Sequence, residues 1–159
     1  MPLLELDLSS PVLALASATA LGFLVGLVPI GMAELLALAI GAVMPPALSL
    51  AMLALFTVAH VAGKVPWYWL GRQSDRATHP HVQAFIAKAR AMMARQPAYS
   101  AGLLATAALA SVPPFHLAAI AAGIARFNVV TFLAVCLAGR AVRFGALASV
   151  PALLRALVA

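Results

Sequence analysis

The chain has 159 residues, 65% of them hydrophobic and 9% charged, with a formal net charge of +6 and a mean hydropathy of +1.07. That balance excludes an ordinary soluble globule, which needs far more polar surface to coat its core, and it leaves no soluble domain to carry a basic nucleic-acid-binding face. Length allows one domain spanning 1–159, and the single cysteine, Cys136, excludes an internal disulfide and reads as a small packing residue.

In chain order, residues 1–10, MPLLELDLSS, carry Glu5 and Asp7 in place of the basic start of a secretory signal. They read as a retained interfacial segment. The first half, 11–70, holds apolar blocks at 11–33 and 35–63, each with at most one ionisable residue, and a membrane span needs about 20 such residues. Gly22 to Gly26, GFLVG, fits close helix packing. His60 falls in mid-block, where a hydrogen-bonded packing histidine is the commoner role and a group titrating near neutral pH the alternative. Trp67-Tyr68-Trp69 fits an interfacial aromatic belt.

Residues 71–97 follow as a basic loop. Arg72, Arg76, Lys88, Arg90 and Arg95 stand there against Asp75 alone, so the loop is expected on the cytoplasmic side. Within it Val82, Phe85, Ile86, Ala89, Met92 and Met93 recur at helical spacing, with Lys88, Arg90 and Arg95 off the stripe, which predicts an amphipathic helix. Its charges either bind anionic headgroups or only set topology. The second half, 98–159, repeats the long apolar pattern, with blocks at 97–115 and 117–139.

Both halves contain a break followed by a segment too short to cross. Pro29, Gly31 and Glu34 interrupt the first, and Pro113 and Pro114, followed by His116, interrupt the second. A proline inside a helix costs roughly 3 kcal/mol, and unpaired backbone in hydrocarbon is tolerated only inside protein or around a wet cavity. The arms from Glu34 to Met44 and from Phe115 to Ile124 predict about 15 Å of helix each. The expected fold is therefore all-α and polytopic, with two re-entrant helical hairpins and transmembrane helices arranged as an inverted repeat.

The residues then resemble a family. GKVPWYWLGR, with Gly63, Lys64, Tyr68, Gly71 and Arg72, is similar to the G-D-x-x-x-Y-x-x-G-R element of DedA-type, or VTT-domain, membrane proteins. VPIGMAE resembles their first hairpin with its acidic end, and AAGIARFNVVTFLAVCLAGRAVRF resembles their A-G…F…G-R…R-F ending, so the likeness runs over roughly 26–145. Lys64 stands where that element carries an acid, and Ala110 and His116 stand near two arginines of the family's second hairpin. The resemblance implies movement of lipids or lipid-linked phosphates between leaflets, with protons as the coupling ion, in a multi-pass protein of a bacterial inner membrane.

The candidate site residues follow from both readings. Glu34 is the one carboxylate inside the apolar blocks, and at such depth a carboxylate is paired, hydrated or protonated. It is read as a proton or ion-coupling group together with His116, or else as an interfacial helix cap. Arg126, Arg140 and Arg143 are the candidates for binding a headgroup or other anion, because guanidinium forks match phosphate oxygens; snorkelling to the interface is their alternative role. Neither a metal nor a cofactor is expected, and the catalytic motifs of zinc proteases, serine hydrolases and P-loop enzymes are missing, so an enzyme is not expected. The expected partners are membrane lipids, anionic headgroups and a second copy of the chain. Three functions fit: lipid or lipid-phosphate translocation, transport of an ion or small solute, and a non-transporting membrane scaffold.

Overall fold

A computed structural model describes residues 10–28, 31–76, 78–95, 97–112 and 114–158, so the segment 1–9, Pro29 and Pro113 lie outside the described residues. Among the described residues there are eight α-helices, one 3₁₀ turn at Ser74–Arg76 and no strand. The helices are α1 Pro11–Leu27, α2 Ala33–Val43, α3 Pro46–Ala62, α4 Val65–Arg72, α5 Pro80–Arg95, α6 Pro97–Ala110, α7 Phe115–Ile124 and α8 Val129–Val158.

Local chemistry accounts for most of the ends. Ser10 caps α1 by accepting from the Leu13 N–H at 3.2 Å, with Pro11 as the first helical residue. Pro46 opens α3 in the same way. Asn128 Oδ1 accepts from the N–H groups of Val130 and Thr131 at 2.8 and 3.3 Å and so starts α8. α7 closes with paired bonds from Arg126 N to Gly123 O and from Phe127 N to Ala122 O, both 3.0 Å, with Arg126 at a φ of 54°. This is a left-handed cap built without glycine.

The two short arms, α2 and α7, have 11 and 10 residues. The long helices behave otherwise: α8 does not end near Gly139 but continues to Val158 through Pro151, a length of 30 residues. Arg140 and Arg143 within it turn inward and are paired with Glu34, so they do not stop the helix. Two stretches, Pro46–Arg76 and Val129–Val158, are long and apolar enough to cross a membrane. In α5, Ile86 of the expected stripe is buried and Lys88 is exposed. The side chains of Val82, Phe85, Ala89, Met92 and Met93, and that of Arg95, lie outside the described ones.

Packing exchanges elements between the halves. α1 packs on α3 and α6 on α8, but α2 rests mainly on α8 and α7 mainly on α4. Two apolar cores result. Ala18, Ala37, Met52 and Phe56 of the first half enclose Phe144 of α8, while Leu104, Ala119, Phe132 and Cys136 of the second half enclose Tyr68 of α4. Both crossing aromatics are fully buried. Glycine makes the two cross-packings close. A Cβ on Gly41 would run into the Ala148 carbonyl, and one on Gly123 into the Tyr68 carbonyl, so backbone lies against backbone at both contacts.

Candidate functional site

The breaks aim both short helices at one place. Residues at and just before the start of α2 (Gly31, Ala33, Glu34) and those flanking the start of α7 (Pro114, Phe115, His116) line a cavity of about 620 Å³, lined on other sides by the end of α1, α3, the α3–α4 turn and α8. His60, Lys64, Ser111, Arg140 and Arg143 complete its polar lining. Three cations thus face one carboxylate, with the N-terminal ends of two helices adding partial positive charge.

On one side of the cavity the charges are paired. Glu34 Oε1 accepts from Arg140 Nη1 at 3.2 Å, Arg143 Nε at 3.1 Å and Ser111 Oγ at 3.2 Å. Arg140 Nη2 donates to Ser111 Oγ at 3.1 Å, and Arg143 Nη1 to the Leu109 carbonyl at 2.6 Å. Arg140 is 3% exposed, and its guanidinium carbon sits 4.3 Å from the centre of the Phe115 ring. Arg140 Nε stands outside this network, buried without a partner among the described residues. Ser111 takes its place between α6 and α7 at a φ of 58°, a left-handed conformation costing about 1–2 kcal/mol in a residue with a Cβ. Such strain persists where surrounding bonds over-determine it, and here Glu34 and Arg140 both hold the hydroxyl.

The other side has the same framework and different chemistry. Glu34 and His116 are each the second residue of a short helix, and Gly41 and Gly123 each the ninth. Lys64 follows Ala62-Gly63 as Arg140 follows Ala138-Gly139, and Trp67 lies three residues beyond Lys64 as Arg143 does beyond Arg140. Trp67 Nε1 donates to the carbonyl of Leu27, the last residue of α1, at 2.7 Å. Arg143 does the same for Leu109 near the end of α6. Where Arg143 meets Glu34, Trp67 meets the His116 ring at 5.8 Å. Lys64 is 4% exposed, and its Nζ lies 5.7 Å from the centre of the same Phe115 ring that Arg140 covers. The carboxylate of Glu34 is engaged by Arg140 and Arg143 and not by Lys64.

His60 lies between these two sides. It is 3% exposed and stacked between aromatic rings: Phe56 at 6.2 Å, Phe115 at 6.2 Å and Phe144 edge-on at 5.4 Å. Neither ring nitrogen has a hydrogen-bond partner among the described residues. In place of the expected hydrogen bonds, the contacts the described residues give this histidine are with aromatic rings.

Of the residues singled out in the sequence, Gly31, Glu34, Pro114, His116, Arg140 and Arg143 come together here with Lys64. Arg126 does not. It sits in the α7–α8 turn paired with Asp75, which also holds Arg90 at 2.9 Å, while Arg90 Nε donates to the Ile124 carbonyl at 2.9 Å. That cluster ties the 3₁₀ turn and α5 to the end of α7. Of the remaining motif residues Gly63 lies against the backbone of α1 at Phe23 and Gly26, while Tyr68, Gly71 and Arg72 serve the α4–α7 contact. Tyr68 donates to the Phe127 carbonyl at 2.6 Å and accepts from Arg72 at 2.7 Å, and a Cβ on Gly71 would meet the Ile120 carbonyl. Ser111, His60, Phe115 and Trp67 join the site without having been chosen from sequence as site residues. For Ser111 the available signal was its place directly after an apolar helix and before two prolines.

The chain matches no family model, no curated protein and no solved structure. Its function is read from the site itself.

Proposed function

We propose that the chain is a multi-pass membrane protein that moves lipids carrying an anionic headgroup, of the lipid or lipid-linked phosphate class, between leaflets. The observation that carries this reading is the cavity: three buried or half-buried cations facing one carboxylate, between the N-termini of two helices too short to span. Guanidinium and ammonium groups with helix N-termini are the donors that phosphate takes. The residues outside the cavity fit a lipid-facing exterior. Val43, Leu50, Val58, Val130, Val142 and Leu153 are exposed large apolar side chains, and only 28% of the most apolar stretch of α8 is buried inside the fold. A soluble chain does not leave so much apolar surface uncovered.

We read α2 and α7 as re-entrant arms of an inverted repeat. Supporting this are the exchange of Tyr68 and Phe144 between the two cores, the paired glycine contacts of Gly41 and Gly123, and the matched bonds of Trp67 and Arg143 to the ends of α1 and α6. Helix N-termini converging on a site from two such arms are the arrangement in which transporters hold anionic substrate groups. Glu34 is then the internal counter-charge that lets two arginines stand in the cavity. Resemblance to DedA-type proteins points to the same class of cargo.

The test is a headgroup-resolved flip assay in proteoliposomes containing phosphatidylglycerol, phosphatidic acid and phosphatidylcholine probes. The expected result is leaflet exchange of the anionic probes at least about tenfold above protein-free vesicles and above the phosphatidylcholine probe in the same vesicles. Equal rates for anionic and neutral probes would remove the headgroup role. Solute transport is the second reading, and lipid-independent uptake of an inorganic anion would favour it.

A further inference from the structure

The two sides of the cavity share a scaffold but not a charge balance. Around Glu34 most of the guanidinium donors are used: Arg140 Nη1 and Nη2, Arg143 Nε and Arg143 Nη1 have protein acceptors among the described residues, and Arg140 Nε does not. The equivalent side has no carboxylate, because its counterpart to Glu34 is His116. Among the described residues Glu34 and Asp75 are the carboxylates, and both are held by arginines. Lys64 is thus a cation 4% exposed with neither an ion-pair nor a hydrogen-bond partner among the described residues.

Leaving a charge so placed costs several kcal/mol. Snorkelling does not relieve it, since the whole residue is enclosed. Two further groups lining the same cavity lack a partner among the described residues: both ring nitrogens of His60 and Nε of Arg140 are buried and unpartnered there. The N-terminus of α7 points to the same spot, with Pro114 as a cap that makes no side-chain bond. At the matching end of α2 the first turn carries Glu34, which offsets the helix charge there.

We infer that Lys64, with His60, His116 and the start of α7, seats the anionic group of the ligand, while Glu34 stays with Arg140 and Arg143. This rests on the reading of the cavity as an anionic-headgroup site and says which half takes the anion. The ligand's charge replaces the carboxylate that His116 does not supply. One His60 ring nitrogen then donates to the bound oxygen, and Phe115 floors both halves. A phosphate monoester on an aliphatic chain fits: a compact anion with several acceptor oxygens, entering from an apolar exterior.

The test uses purified full-length protein in dodecyl maltoside micelles, in a Trp69→Phe background so that Trp67, 5.8 Å from the His116 ring, is the one indole reporter. Dodecyl phosphate is titrated against Trp67 emission and, in parallel, by calorimetry. Saturable binding is expected in this protein and, within about threefold, in Lys64→Arg; Lys64→Met and His116→Glu are expected to weaken it at least about tenfold. Lys64→Met removes an unpaired buried charge and keeps the stem's volume, and His116→Glu supplies the internal carboxylate, so each variant tests the site by a different route. Competition by inorganic phosphate at matched concentration assigns the site to a free anion, and its silence assigns it to an amphiphile. Undiminished binding in both Lys64→Met and His116→Glu would overturn the assignment and leave the flip assay standing. Failure of the starting protein to bind either probe would overturn it too, and the flip assay then decides the wider reading on its own.

Discussion

The two halves of the cavity are built alike and charged differently. Around Glu34, a carboxylate, two arginines and a strained serine form a closed set of bonds. Around His116, the same helix positions carry an imidazole, a tryptophan and a buried lysine with no such closure. The contrast separates what holds the site from what the site is left to hold. A scaffold can be shared while one side spends its donors internally and the other keeps them for a ligand.

The largest expected effect comes from breaking the closed side. Glu34→Gln leaves Arg140 buried without its counter-charge, and removing one partner of a buried pair costs about 3–5 kcal/mol. Allowing for the partial exposure of Glu34, a fall of about 10 °C in the melting temperature of the detergent-solubilised protein is expected. His116→Gln, at the same position of the other short helix, is expected to shift it by no more than about 2 °C. Equal shifts for the two variants would dissolve the distinction between the halves.

Next come the glycines that seat the short helices. Gly41→Ala and Gly123→Ala each drive a methyl into a facing carbonyl and are expected to cost about 1–3 kcal/mol apiece, the usual range for overpacking. The comparison sharpens if the two losses agree, since the two contacts are built alike. A loss at one position only would mean that the cross-packings are not equivalent.

The local parts of this architecture were legible in the sequence. Prolines and capping residues act within a turn of themselves, so the interruptions after Leu27 and after Ala110, and the short arms from Glu34 to Met44 and from Phe115 to Ile124, could be read directly. The run of α8 to Val158 could not, because whether Arg140 and Arg143 end a helix depends on a carboxylate more than 100 residues away. The same holds for Arg126. Its partner, Asp75, lies 51 residues earlier, and grouping it with the other arginines rested on composition alone. Ala-Gly-Lys at 62–64 and Ala-Gly-Arg at 138–140 did signal equivalent positions. Their spacing differs from that of the short helices, which hid the match until the helices were seen packed.

The smallest effect is expected outside the cavity. Asp75→Asn removes the exposed anchor of Arg90 and Arg126, and pairs of this kind are weak and screened by salt. A drop of no more than about 2 °C in melting temperature is expected at low ionic strength, vanishing near 0.5 M salt. A larger, salt-independent loss would make this cluster a structural centre comparable to Glu34.

The most direct test of the account puts a carboxylate into the half that lacks one. In the headgroup-resolved flip assay, His116→Glu should pair Lys64 internally and reduce exchange of phosphatidic acid and phosphatidylglycerol at least about tenfold, with the protein's melting temperature maintained or raised. Exchange at the starting rate, with Lys64 demonstrably paired to the new carboxylate, would contradict the claim that this half of the cavity receives the anion.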